Sequence, residues 1–198
     1  MRTATIGFSA HSGWTALVAL TITKGAPVVL ARERVHLVGT FTYEYRQPYH
    51  TAEKLGAEKG SAFVTRMRNE SRRLALRAIR KVAADLRAQG YKLSGCGLLL
   101  SSGRPLPKLP QILASHSLIH SADGELFREA LLHATARCDL KAVTIKEREV
   151  LDSAAGTLRI KPADLARRVN ELGRALGSPW TQDEKLASMV AWLALRSK

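Results

Sequence analysis

Between Thr3 and Val38 the chain writes three strand-length segments, separated by turns too short to hold a helix. Thr3 to Ala10 alternates, with Ala4, Ile6, Phe8 and Ala10 on one face and Thr3, Thr5, Gly7 and Ser9 on the other. That period of two marks a strand. His11-Ser12-Gly13 turns the chain into Trp14 to Ile22, apolar almost throughout, as a strand covered on both faces must be. Thr23 to Pro27 supplies the next turn and Val28 to Val38 the third strand. Its Val29, Ala31, Val35 and Leu37 are expected on one face and Arg32, Arg34 and His36 on the other, a wet, basic side that suits a sheet edge. Strands joined this tightly run antiparallel, because a parallel return needs a crossover of about a dozen residues or more.

Beyond the third strand the period lengthens. Gly39 to Gly60 has none and reads as a long irregular loop, carrying the polar-aromatic segment Tyr43 to His50. Such loops serve function or cover a core edge. Ser61 to Gln89 is helical, with Val64, Met67, Leu74 or Ala75, Ile79, Val82 and Leu86 inward, and it stops at Gly90. Cys96 to Ser101 is a short buried fourth strand, and Ser102 to Lys108 a loop. Pro110 opens a helix toward His120, a second helix runs from Ala122 to Arg137, and Ala142 to Ile145 is the fifth strand. Helices over Pro162 to Leu176 and Thr181 to Arg196 follow, the last entered through the Thr181–Glu184 capping box.

This order predicts an α/β protein with a five-stranded mixed sheet, an antiparallel meander plus two parallel strands, flanked by helices. The first strand should be central, the third at an edge, and the fourth and fifth parallel to the first. Residues 1–198 are expected to form a single α/β domain, with 162–198 a helical pair packed on it. The topology resembles the ribonuclease H-like superfamily, and Ile6 to Trp14 looks like the strand-turn-strand opening of its nucleases and actin-like kinases. Gln47 to His50, Gly124 to Arg128 and the Gly-x-Pro-Trp at Gly177 to Trp180 look like a family of uncharacterised bacterial proteins, which brings no assigned activity.

The superfamily resemblance implies a test. Its metal-dependent nucleases hold two magnesium ions between carboxylates on the first and fourth strands. The first-strand position expected to be acidic is Ser9, and Cys96 to Ser101 contains no acid, so those ligands are missing. The sugar-kinase-like reading lacks its acid and phosphate-gripping glycines in the same way. Non-catalytic members of the fold, including the middle domain of eukaryotic-type peptide-release factors and several ribosomal proteins, bind RNA, which would suit a basic chain without acids.

The chain is basic. Thirty-one Lys and Arg against 17 Asp and Glu leave a net charge of +14, which favours polyanionic partners such as RNA, or else reflects an arginine-rich proteome. Arg66, Arg73, Arg77, Arg80 and Arg87 lie on the outer side of the long helix, flanked by Arg68, Arg72 and Lys81, with Glu70 and Asp85 the opposing acids. With Arg32 and Arg34 of the third strand they are the candidate nucleic-acid contacts. Residues 3–23 lack Asp, Glu, Lys and Arg but hold glycines, serines and threonines at period two, so no membrane span or signal peptide is expected. Cys96 and Cys138 read as reduced, structural thiols of a cytoplasmic protein.

The most chemically mixed stretch is Ser115 to Arg128. His116 and His120, at i and i+4, share a helix face and could chelate a metal; zinc would want a third ligand such as Glu125 or His50. The alternative is a pair of histidines bonded to backbone at a helix junction, and no cofactor is expected. Asp123 suits the start of the second helix, where an acid complements the dipole. His120, Glu125 and Arg128 could surround a small polar or anionic ligand, with Glu147 at the carboxyl end of the fifth strand and His50 reaching the same rim. Three functions follow: a non-catalytic nucleic-acid or ribonucleoprotein binding domain, a hydrolase-like small-molecule enzyme using His120, Glu125 and Arg128, or a scaffold or regulatory protein.

Overall fold

A computed structural model describes residues 1–101 and 105–196. The strands are β1 (Arg2–His11), β2 (Trp14–Thr23), β3 (Ala26–His36), β4 (Tyr91–Leu100) and β5 (Lys141–Lys146). The helices are α1 (Tyr43–Arg46), α2 (Pro48–Leu55), α3 (Ala57–Ala88), α4 (Leu109–Leu113), α5 (His116–Arg137), α6 (Val150–Leu158), α7 (Pro162–Arg174) and α8 (Gln182–Arg196), with a 3-10 turn at Glu147–Glu149.

The sheet order is β3-β2-β1-β4-β5. β1 pairs antiparallel with β2 and parallel with β4, β2 antiparallel with β3, and β4 parallel with β5. The expected mixed sheet therefore forms, with the first strand central and the third at an edge. The even residues Ala4, Ile6 and Phe8 of β1 enter the core made with α3 and α5, where Val64, Met67, Ile79, Phe127 and Leu131 are buried. The odd residues face α8: Thr5 Oγ1 donates to the Ala191 carbonyl at 2.7 Å. A second core under α8 gathers Leu20, Leu99, Val150, Leu165 and Trp192.

Several elements differ from the sequence expectation. The stretch from Gly39 to Gly60 is not an irregular loop. Pro48 opens α2, and its buried residues are Pro48, Tyr49, His50 and Ala52, a half-polar face that carries no hydrophobic period. The expected break before Ala122 is absent, because α5 runs unbroken from His116. Asp123 therefore lies inside a helix, buried, rather than at an N-terminus, and the Arg128 guanidinium folds back over Gly124. The expected helix from Pro110 to His120 is two helices, α4 and the start of α5, parted at Ala114-Ser115. β4 begins at Tyr91, where Tyr91 and Leu93 are buried and Lys92 and Ser94 exposed, and a bulge follows opposite Ala4/Thr5. A second bulge, opposite Ala19/Leu20, splits the face predicted for β3. Val29 pairs with Leu20 while Ala31 pairs with Ala19, so the two point to opposite sides. Helix α6, short and rich in small residues, was not expected. The loop expected over Ser102 to Lys108 falls partly on residues 102–104, outside the described residues.

Candidate functional site

Because β4 and β5 run parallel to β1, the carboxyl ends of all three lie at one end of the sheet, where open α/β sheets bind ligands. The chain leaves β3 at that end to form α1 and α2, and leaves β4 there to form α4 and enter α5. Three clusters stand on this rim.

The first sits at the end of β1. Ser9 Oγ donates to Asp183 Oδ1 of α8 at 3.2 Å, and His11 Nε2 lies 2.6 Å from the same oxygen. His11 stacks on Trp14 with ring centroids 4.6 Å apart, and the Arg34 guanidinium covers the Trp14 ring at 3.8 Å. A pair of magnesium ions would need several carboxylates converging beside β1 and β4. Here Ser9 stands on β1, Leu98, Leu99 and Leu100 end β4, and Asp183 is turned to a serine and a histidine. The residues present do not fit that metal pair. Nothing in the spacing of the sequence marks Asp183, which reads there only as part of a helix cap.

The second cluster joins α2 to the first turns of α5. His116 and His120 approach with their Nε2 atoms 3.0 Å apart, and the His50 ring stands 4.5 Å from that of His120 and 5.5 Å from that of His116. The i, i+4 spacing produced the exposed pair as expected, and α2 delivers His50, itself buried, as the third member. Asp123 fixes His50. One carboxylate oxygen lies 2.5 Å from His50 Nδ1, and the other accepts the Tyr49 backbone N–H at 2.7 Å. Burial pushes the Asp123 carboxyl up from the ordinary range, and the bonds from Tyr49 and His50 pull it back.

The third cluster is Glu125, Arg128 and Glu147. The Arg128 guanidinium lies 3.9 Å from Glu125, and its Nε is buried with no hydrogen-bond partner among the described residues. Burial lowers the Arg128 pKa, and the charges of Glu125 and Glu147 oppose that shift. The structure therefore divides the predicted group. His120 turns to His50 and His116, while Arg128 turns to Glu125 and Glu147. A cleft of about 670 Å³ opens near Glu147, between α6, α7 and α8, with Ser101, Asn170 and Lys185 on its wall.

The arginines divide as well. Glu33 of β3 reaches Lys81 of α3 at 3.2 Å, so the alternate residues Arg32 and Arg34 lie on the other face of the sheet from α3. Arg32 donates to the carbonyls of Gly177, at 3.0 Å, and Pro179, and so holds the loop before α8. Trp180 donates to the Val169 carbonyl at 3.0 Å and lies over Gly173, which makes the Gly-x-Pro-Trp segment a clamp on α7. On α3, Arg72 pairs with Glu129 of α5, and Arg68 reaches the Tyr49 hydroxyl at 3.4 Å. Arg66, Arg73, Arg77, Arg80 and Arg87 are exposed.

Among solved structures the chain is similar to Thermus thermophilus RuvC in complex with a Holliday junction substrate. The TM-score is 0.53 at 10% identity, covering 96% of this chain and 90% of that one. A second Thermus thermophilus RuvC structure gives a TM-score of 0.50 at 11% identity, covering 96% and 91%. At such identities the likeness is one of fold, and the fold is ribonuclease H-like. No protein-family model matches the sequence, and comparison with curated proteins gives no match. Among the described residues no helix is long and apolar enough to cross a membrane.

Proposed function

We propose that this is a nucleic-acid-binding domain of ribonuclease H-like fold that contacts the phosphate backbone through the solvent face of α3. One observation carries the reading. Arg73, Arg77 and Arg80 follow one another at i, i+4 and i+7 on the exposed side of α3, with Arg66 before them and Arg87 after. Among the described residues Arg73, Arg77 and Arg87 make no ion pair, whereas Lys81 has both Asp85 and Glu33. A helix face meant only for solvent normally mixes both signs. The inward stripe from Val64 to Leu86 already accounts for the packing of the helix. The net charge of +14 adds a long-range attraction to polyanions.

Arg32 and Arg34 do not belong to that surface. Their guanidinium groups hold the Gly177–Pro179 loop and Trp14, on the opposite face of the sheet. The fold neighbour described with a Holliday junction makes branched duplex worth testing beside RNA. Fluorescence anisotropy with single-stranded RNA, duplex DNA and a four-way junction, from low to physiological salt, tests the reading. Phosphate contacts release counterions, so the logarithm of affinity should fall linearly with the logarithm of salt. Absence of binding at low salt to all three, or affinity insensitive to salt, would remove the proposal.

A further inference from the structure

We infer that His50, His116 and His120 form a site for one divalent transition-metal ion of the zinc class, with a fourth position open to solvent. The proposal is independent of the nucleic-acid reading.

The geometry has three parts. First, each histidine offers one ring nitrogen, and these atoms lie within 4.8 Å of one another. Ligands at about 2.0–2.1 Å from a tetrahedral ion stand about 3.3 Å apart. The 3.0 Å between His116 and His120 is already near that figure, and small side-chain rotations bring in the third. The rings meet edge to face, at 88°, 68° and 82°, instead of stacking, which leaves their ring nitrogens near one another.

Second, the buried member is oriented. With Asp123 held against Nδ1, a proton on that nitrogen leaves Nε2 as the lone pair available to an ion. A carboxylate behind a ligating histidine is the usual arrangement that fixes its tautomer and strengthens it as a ligand. Asp123 is itself held by the Tyr49 N–H, so the arrangement is set before any ion arrives. Third, three imidazoles stand together, two exposed on α5 and one buried on α2. If they were charged they would repel. Neutral, the His116–His120 contact is a single hydrogen bond between two Nε2 atoms, and an ion would replace its one proton while taking both nitrogens as ligands.

Ligand chemistry narrows the ion. Three neutral imidazoles suit zinc, copper, nickel or cobalt and suit magnesium or calcium poorly, because those ions prefer oxygen. With His116 and His120 exposed, the fourth ligand is water or an incoming group, the pattern of an open rather than a closed structural site. Asp123 is a positioning residue here and touches no ion.

The test uses the full chain without a histidine tag, stripped of metal and titrated with Co²⁺ followed by visible absorption, and with Zn²⁺ against a chromophoric chelator. The expected result is one equivalent per chain and a cobalt spectrum of low coordination number. That spectrum should vanish in the His116→Gln/His120→Gln double variant, whose changes lie on an exposed helix face and leave the core alone. Asp123→Asn should keep the spectrum and weaken affinity about 10- to 100-fold. His36→Ala and His133→Ala should change nothing. Retention of one-equivalent binding in the double variant would overturn the site. So would failure of the folded wild type to bind either ion. Binding abolished in the double variant yet unaffected by both His50→Gln and Asp123→Asn would reduce the site to a two-histidine surface chelate, and would equally refute the three-ligand assignment.

Discussion

Gly7 of β1 and Gly97 of β4 are paired in register, and together they form a trench in the sheet into which α8 lays its backbone. A Cβ on Gly7 would strike the Ala187 carbonyl, and one on Gly97 the Val190 carbonyl. Both obstacles are backbone atoms, which cannot swing aside. Gly7→Ala or Gly97→Ala should therefore cost at least the 1–3 kcal/mol typical of overpacking, roughly 2–4 °C in Tm for each kcal/mol in a chain of this size. Thermal unfolding by circular dichroism measures it. An unchanged Tm would mean that α8 does not sit this close.

The α3 arginines give the next expectation. Arg73→Gln/Arg77→Gln/Arg80→Gln leaves the buried stripe of α3 intact, so each change should alter stability by less than about 0.5 kcal/mol. Nucleic-acid affinity should drop, and the salt slope should flatten by about 0.9 for each duplex phosphate that is no longer neutralised. Anisotropy titrations at several salt concentrations, run beside urea unfolding, separate the two effects.

Arg32 should behave in the opposite way. It holds the carbonyls of Gly177 and Pro179, so Arg32→Gln should loosen the link between α7 and α8. The expected cost is about 1–2 kcal/mol, in the range of charge-assisted hydrogen bonds at a partly open site. The salt slope of nucleic-acid binding should stay as in the wild type. Urea unfolding and the same anisotropy series check both halves.

Cys96 supplies a pH dependence. Burial pushes its thiol up to about 11 from an ordinary 9.0, with the Thr135 hydroxyl drawing it back. The folded state therefore keeps its proton where the unfolded chain has lost it. The stabilisation is complete below pH 9 and declines as pH rises from 9 toward 11, at about 1.4 kcal/mol per unit. Measured against Cys96→Ala, wild-type stability should lose on the order of 2 kcal/mol between pH 8 and 10.5. Parallel curves for the two proteins would contradict it.

Magnesium or manganese should produce no cleavage of single-stranded, duplex or four-way-junction substrates. The reason is local: the carboxyl end of β1 presents Ser9, and the acid beside it, Asp183, is bound to Ser9 and His11. Gel assays with purified protein test this. Cleavage that disappears on Asp183→Asn would show that this one acid suffices.

How far the sequence revealed these features depended on how each one is held. The meander was legible because period two and short turns are local signals. α2 was hidden because its buried face uses Tyr49 and His50 where a helix usually shows leucines. The continuity of α5 was hidden by Asp123-Gly124, a pair that ordinarily opens a helix. The acid is instead consumed by contacts with Tyr49 and His50, and the glycine makes room for Arg128. The His116–His120 spacing was readable on its own helix. That His50 joins it, and that Glu125 and Arg128 turn away, depends on how α2 docks on α5, which no local pattern encodes. For the same reason the bulge at Ala19/Leu20 leaves no mark in the sequence, where the two faces of β3 merge into one.

The hydrogen bond from Thr5 to the Ala191 carbonyl joins residues 186 positions apart. During synthesis the strand that occupies the middle of the sheet therefore leaves the ribosome well before the helix that roofs it. Until α8 arrives, the glycine trench and the apolar residues beside it have nothing above them. Through that interval a nascent chain exposes an apolar sheet face that α8 later covers. Contacts this distant in sequence also close slowly. Cells making this protein in quantity would be expected to lean on holding chaperones during that interval, and a chain interrupted before α8 to aggregate rather than persist as a smaller folded unit.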